Sequence, residues 1–203
     1  MKSSLAQSLI LVIAGTLSQG VFGAEPANSL NFGFGGLNPM PHCEARVYTL
    51  EYEHRITPTM VILGRGSGVN YTDDDSDYLE DGRLRGIDIG ARYYRAGRMQ
   101  GFYTGASLGY WENDWTFIEN RNTANPLKGD ADTEALRLNI DVGYRFPIRD
   151  TNISIMPEVN IGKFFSSSSC DYTEPASLVG SACDQNSDVE AYLFAGVSLG
   201  VAF

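Results

Sequence analysis

The chain has 203 residues, of which 15 are Lys or Arg and 25 are Asp or Glu, giving a formal net charge of -10. This acidic balance argues against nucleic-acid binding, which requires a basic face. Hydrophobic residues make up 43% of the chain, which is too much for a disordered protein. The mean hydropathy of -0.18 excludes a bundle of membrane helices. The length suits one sizeable domain.

The first 23 residues have the pattern of a secretory signal peptide. Lys2 gives a positive start, residues 9–14 form a short apolar core, and small residues follow. The apolar run is shorter than the ~20 residues that a membrane-spanning helix needs. We therefore predict a signal peptide at residues 1–23 and a single domain at residues 24–203.

The domain shows period-two alternation of apolar and polar residues, which predicts β-strands. In residues 134–146, apolar side chains at even positions oppose polar side chains at odd positions. Residues 59–71 alternate less clearly, and we place Arg65 on the inward face because it lies near mid-strand. In chain order, the eight predicted strands cover residues 29–36, 47–56, 59–71, 85–95, 101–111, 134–146, 152–164 and 192–203.

The connections between these strands alternate between short and long. The short ones are residues 57–58, 96–100 and 147–151, and the long ones are residues 37–42, 72–83, 112–133 and 165–188. An all-β, eight-stranded antiparallel up-and-down transmembrane β-barrel has this rhythm, and its strands need about 9–11 residues to cross a bilayer. An even number of strands places both termini at the short-turn end, so the long connections are expected outside the cell.

The two faces of the strands decide between a membrane barrel and a soluble, lipocalin-like barrel, in which charges face water. The polar face carries small residues and a near balance of opposite charges, as a narrow lumen filled by paired charges requires. Aromatic residues near strand ends, Trp111 and Trp115 among them, fit the girdles of a membrane barrel. The predicted lumen charge network consists of Glu51, Glu53, Arg65, Asp88, Arg92, Arg137, Asp141, Arg145 and Glu158.

The last predicted strand, residues 192–203, alternates and ends on the aromatic Phe203. Size, rhythm and this ending resemble the small eight-stranded outer-membrane barrels of Gram-negative bacteria, the OmpA and OmpX type. The resemblance implies location in the bacterial cell outer membrane, contact with outer-membrane lipids and lipopolysaccharide, and Phe203 as a signal for the barrel assembly machinery. Pro157 departs from the pattern, because it removes a ladder hydrogen bond unless it lies at a bulge.

Few residues suggest chemistry at a specific site. Cys170 and Cys183 lie in one predicted outer loop, and an oxidising compartment favours a disulfide between them, which leaves Cys43 over. The three cysteines and His42 match no zinc spacing. The Asp-rich segment 72–81 has alternate acids but lacks the Gly and closing acid of a calcium loop. We therefore predict no metal and no cofactor.

A narrow, charged lumen does not suit a general porin. We expect an envelope-structural or surface-interaction role that is carried by the outer loops, with no enzymatic activity and no nucleic-acid partner. Two alternatives remain open. A lipid A-modifying hydrolase would need His42 beside Ser76 and Asp77, and a narrow solute or ion channel would need an unpaired, hydrated lumen.

Overall fold

The computed structural model describes residues 26–37, 43–175 and 191–203. Consecutive strands pair antiparallel, and β1 also pairs with β8, which closes a barrel. This confirms the predicted all-β, eight-stranded up-and-down barrel. The part of the chain described has no helix with the length and apolar character needed to span a bilayer. The strands are β1 (Asn28–Leu37), β2 (Cys43–Arg55), β3 (Met60–Asp74), β4 (Tyr78–Tyr94), β5 (Gly101–Glu119), β6 (Leu127–Pro147), β7 (Ile153–Glu174) and β8 (Ala191–Ala202).

The apolar face of the barrel is its outer wall. Successive side chains of a strand point to opposite faces; within the apolar belt the inward set is largely polar or charged and buried, whereas the outward set is largely apolar and exposed. This is the inverse of a soluble barrel and is the arrangement that lipid requires. Apolar side chains of the outer wall include Phe32, Leu50, Ile62, Ile89, Leu108, Leu138, Ile161 and Leu199, which we call the apolar belt.

The strands differ greatly in length, from 10 residues in β1 to 22 in β7. A tilted membrane strand needs only about 9–11 residues, so β3 to β7 continue beyond the apolar belt. We call this continuation the extended sheet, which comprises residues 70–74, 78–85, 112–119, 127–134 and 167–174.

The extended sheet corrects three of the predicted long connections, 72–83, 112–133 and 165–188. Strand β7 continues to Glu174, so residues 165–174 belong to the sheet. Strand β4 begins at Tyr78 and β6 begins at Leu127, so only residues 75–77 and 120–126 connect the strands there. Beyond the belt the outward side chains are polar, so the alternation of apolar and polar residues that predicts a strand stops there. The inward side chains still pack, with Trp115 and Phe117 buried in one cluster, and this inward packing continues the strands.

At the opposite end, the connections are short, as predicted, and cover residues 56–59, 95–100 and 148–152. Both ends of the domain meet there, since Asn28 and Phe203 exchange two backbone hydrogen bonds of 2.9 Å. Pro157 does not lie at a bulge: the β6–β7 register is the same on both sides of it. The ladder instead lacks the two pairs opposite Tyr144 and Arg145, as the missing N–H of proline requires.

Candidate functional site

Arg92 is the centre of the charged lumen. Its Nη1 donates to Glu51 Oε1 at 2.8 Å and to Glu53 Oε1 at 2.5 Å, and its Nε donates to Asp141 Oδ2 at 2.8 Å. The side chain is 1% exposed. A guanidinium has five N–H donors in a rigid fork, so it can bind several carboxylates that no ammonium group could orient together.

The other predicted lumen charges surround this centre. Arg65 donates to Glu51 Oε2 through Nε at 2.8 Å and through Nη2 at 2.6 Å. Arg145 donates to Glu53 Oε2 at 2.5 Å. Glu158 accepts from the Tyr103 hydroxyl at 3.1 Å and lies 3.5 Å from Arg92.

Arg137 and Asp88 form a separate pair above the centre. Arg137 donates to both oxygens of Asp88, at 2.9 and 2.6 Å. The guanidinium stacks 4.2 Å from the Trp111 ring centroid, and Trp111 Nε1 donates to Asp88 Oδ1 at 3.2 Å. Two hydrogen bonds and one aromatic face thus fix the Arg137 guanidinium.

Inward glycines make these contacts possible. Asp88 and Arg137 lie on strands β4 and β6, and Gly109 lies between them in the register. A Cβ atom at Gly109 would lie 2.0 Å from Asp88 Oδ1, so any larger residue would block the pair. Gly105 occupies the same place between Arg92 and Asp141. The sequence analysis did not identify this role. A signal for it is an inward glycine on a strand whose two neighbouring strands both carry inward charged residues.

Polar residues outside the predicted network complete the lumen. Asn139 donates to Asn160 Oδ1 at 3.2 Å and accepts from the Tyr192 hydroxyl at 2.7 Å. Asn31 donates to Glu51 at 2.9 Å. Among the described lumen residues, three buried side-chain atoms have no hydrogen-bond partner, namely Ser67 Oγ, Asp141 Oδ1 and Asn160 Nδ2. The network is therefore almost saturated, and its nine charges are five carboxylates and four guanidinium groups.

The short-turn end of the lumen is closed by an apolar layer. It consists of Val61, Tyr94, Met99, Tyr103 and Met156, each no more than 2% exposed. Met99 comes from the β4–β5 turn and has a positive φ of 51°. Its carbonyl accepts from Arg145 at 3.4 Å, so the turn closes the barrel directly below the charged network.

Trp111 and Trp115 correct the predicted aromatic girdle. They are 2% and 8% exposed and lie inside the barrel. Odd positions of β5 face inward. The presence of aromatic residues near a strand end does not show which face of the strand they occupy. Tyr48, Tyr93, Phe102, Tyr110, Tyr144 and Phe146 are exposed on the outer wall, as a girdle requires.

A second polar cluster lies inside the extended sheet. Tyr71 donates to Glu80 Oε1 at 2.5 Å, Tyr78 donates to Glu80 Oε2, and Asn113 donates to the Tyr71 oxygen at 3.0 Å. Burial, followed by the Glu80 carboxylate, raises the pKa of the Tyr71 phenol, and the same causes raise the pKa of Tyr78. Both phenols therefore remain neutral donors well into the alkaline range.

The outer face of the extended sheet is polar and concave. A cavity of about 940 Å³ runs across it from β2 to β7. Its β2–β4 side carries Arg46, Arg83 and Arg85, and its β5–β7 side carries Asp114, Asp130, Asp132 and Asp171. Arg85 and Asp114 form an exposed ion pair of 2.8 Å where the two sides meet.

Several of the remaining predicted site residues lie outside the described part of the chain. Cys170 is disulfide-bonded, whereas Cys183 and the Cys43 side chain lie outside the described residues, so the pairing of Cys170 with Cys183 stays a prediction. His42 also lies outside them. His54 contacts Asn28 Oδ1 at 2.9 Å near the short-turn end. Within the described ranges, no group of three His, Cys, Asp or Glu side chains is arranged to hold a metal ion.

Three solved structures resemble this fold at low sequence identity. Ail, the attachment invasion locus protein of Yersinia pestis, has a TM-score of 0.54 and 11% identity, with 89% of this chain and 100% of that chain covered. The translocator domain of autotransporter NalP from Neisseria meningitidis has a TM-score of 0.52 and 10% identity, covering 95% and 67%. A major outer membrane protein from Thermus thermophilus has a TM-score of 0.52 and 12% identity, covering 86% and 99%.

These likenesses confirm the predicted barrel fold, and the family match that follows confirms the location in the bacterial outer membrane. No curated protein matches the sequence. A family model described as the autotransporter beta-domain matches residues 46–203, which is most of the chain. This chain therefore belongs to the autotransporter beta-domain family.

Proposed function

We propose that this protein is a non-conducting outer-membrane barrel that presents the extended sheet at the cell surface, for a structural or surface-interaction role in the envelope. The observation that carries the proposal is the contrast between a filled lumen and a polar, concave outer face. Lipids, including lipopolysaccharide, surround the apolar belt, and the barrel assembly machinery inserts the chain.

The packing of the lumen supports the absence of conduction. Arg92 contacts carboxylates from β2, β6 and β7, so its guanidinium crosses the interior. The apolar layer that contains Met99 lies below it. Ion passage would require these buried pairs to separate, which costs several kcal/mol for each pair. The NalP domain is a translocator, but the packed lumen of this chain favours a different use of the fold.

A planar-bilayer experiment tests the lumen. The refolded protein should give no discrete conductance steps over a range of voltages. The variant Met99→Gly with Arg92→Gly removes side chains from both layers and serves as the control for an opened barrel. Regular steps from the wild-type protein would overturn the proposal and favour the narrow channel. Release of fatty acid from purified lipid A by the same preparation would favour the hydrolase instead.

Lysine labelling tests the orientation. Lys128 lies in the extended sheet and Lys163 lies among the side chains of the apolar belt, so a membrane-impermeant amine reagent on intact cells should label Lys128. The variant Lys128→Arg should lose that label while keeping its fold. Labelling of Lys128 only after cell lysis would place the extended sheet in the periplasm and end the surface proposal.

A further inference from the structure

The outer wall has a groove along β3, where three alternate outward positions are glycine. A Cβ atom at Gly64, Gly66 or Gly68 would have no atom within 4 Å. Most inward glycines of the barrel, by contrast, lie against side chains. These three glycines therefore do not serve close packing within the chain, and they leave open space on its lipid-facing side.

Side chains of β2 and β4 form the two walls of this groove. The register places Tyr52, Leu50 and Tyr48 on one side and Ile89, Ile87 and Arg85 on the other. Ile87 and Ile89 are 66% and 74% exposed, the highest values among the exposed large hydrophobic residues that the structure describes. Their register partners on β3, Gly66 and Gly64, have no side chains, so the two isoleucines are left open on the side of the groove. The glycine segment spans about 13 Å at ~3.3 Å per residue.

One end of the groove is apolar and the other is cationic. Ile62, the next outward residue of β3, closes the end toward the short turns. At the other end, Asn70 lies between Arg46 of β2 and Arg83 of β4. Arg83 Nε donates to Asn70 Oδ1 at 3.2 Å, and Arg85 lies one row closer to the belt. Three exposed guanidinium groups thus lie where the apolar belt meets the polar surface.

We propose that this groove binds one acyl chain of a phosphorylated lipid, and that Arg46, Arg83 and Arg85 bind its phosphate. An apolar slot that ends in a cluster of cations matches an amphiphile with an anionic headgroup. Guanidinium groups bind phosphate oxygens in bidentate geometry. The acids Glu44 and Asp81 lie one row farther from the belt. Glu112 and Asp114 lie beside Arg85 and Arg83 on β5, on the side away from the groove, so the phosphate replaces Asp114 as the partner of Arg85. The identity of this lipid as lipid A, in the outer leaflet, rests on the proposed orientation.

Native mass spectrometry of the refolded protein in detergent tests the groove, with diphosphoryl lipid A and a zwitterionic phosphatidylcholine as probes. We expect one lipid A per barrel to be retained, at least about tenfold more than phosphatidylcholine, which corresponds to about 1.4 kcal/mol of binding free energy. Gly66→Leu fills the groove with a side chain that lipid tolerates, and it should reduce retention about tenfold. Ala195→Leu adds the same side chain to the outward face of β8 and should leave retention unchanged.

A charge-matched pair of double variants tests the cations. Arg83→Gln with Arg85→Gln should reduce lipid A retention about tenfold, whereas Arg121→Gln with Arg149→Gln should not. Heat-modifiable migration on a gel verifies that each variant has folded. Equal retention by wild type and Gly66→Leu would overturn the proposal. A dimer that Gly66→Leu abolishes would overturn it too, because a second copy of the chain would then fill the groove. The assay is independent of orientation in cells, so its failure is distinguishable from failure of the Lys128 labelling.

Discussion

Two Arg–Asp pairs, one spanning β4 to β6 across β5 and one joining the neighbouring strands β4 and β5, show how differently the lumen and the extended sheet use the same residue types. Arg137 and Asp88 are 8% and 0% exposed at their side chains, whereas Arg85 and Asp114 are 59% and 61% exposed. Their shortest N–O distances are similar, 2.6 and 2.8 Å. Burial rather than geometry therefore separates them: the first pair cannot be broken without leaving a charge in a dry interior, while the second exchanges its partner for water.

The comparison explains why the lumen acts as structure while the extended sheet is available for binding. Each lumen carboxylate contacts groups from other strands, so the charges hold the barrel wall together from inside. The charges on the extended sheet are solvated and can be exchanged for those of a ligand. A protein of this kind can change its surface residues with little effect on stability.

Loss of Arg92 should have the largest effect. Arg92→Gln leaves Glu51, Glu53 and Asp141 close together without their common partner, and we expect the free energy of unfolding to fall by roughly 3–5 kcal/mol or more. Arg85→Gln removes an exposed guanidinium and should cost about 0.2–1 kcal/mol. Urea unfolding of both variants in lipid vesicles measures the difference. Equal losses would contradict the contrast between the two regions.

A charge on the apolar belt should have the next largest effect. Leu138→Arg places a guanidinium in lipid and should cost roughly 2–4 kcal/mol near the bilayer midplane. Glu134→Arg places the same guanidinium two outward positions farther along β6, beyond the belt, and should cost well under half of that. Vesicle unfolding and the yield of refolded protein measure both. If Glu134→Arg proves as damaging, the belt extends farther than the structure indicates.

The glycines provide a smaller and sharper test. Gly109→Ala forces a methyl group against Asp88 Oδ1, and we expect a loss of about 1–3 kcal/mol from overpacking. Gly66→Ala points into open space outside the barrel and should change stability by less than about 0.5 kcal/mol. Both losses are measured by urea unfolding in vesicles. A large loss for Gly66→Ala would mean that β3 needs this glycine for its backbone rather than for the groove.

The smallest effect concerns pH and the extended sheet. Because the folded pKa values of Tyr71 and Tyr78 lie above the ordinary value of 10.0, their contribution to stability is complete below about pH 10 and falls as the unfolded chain ionises above it. Tyr71→Phe with Tyr78→Phe should flatten this alkaline decline in the unfolding midpoint. The variant should also lose part of the phenolate absorbance change that occurs above pH 10. An unchanged decline would show that other groups cause it.

The sequence by itself determined the alternation and therefore the barrel. The six apolar residues at even positions from Leu136 to Phe146 lie on the same face of the strand, because the side-chain period of a strand is two. They therefore face lipid together or not at all. The structure buries Arg65 inside the barrel, at 5% exposure, despite the apolar run before it, since facing lipid costs a guanidinium near the bilayer midplane roughly 2–4 kcal/mol. The same alternation predicts that the network charges face inward. It does not predict which charges pair, because partners on different strands depend on the register between those strands.

Only the tertiary structure decided the features that depend on contacts between strands. The polar outward residues of the extended sheet predict loops. The strands continue there because Trp115 packs inward against residues that are distant in the chain. The position of Trp111 near a strand end predicts a place in the girdle, whereas the alternation of β5 puts its odd position on the inward face. Gly109 and Gly66 have the same residue type and opposite roles, one giving an ion pair room inside and the other opening a groove outside. Their neighbours across the sheet, which sequence alone does not supply, determine which role each has.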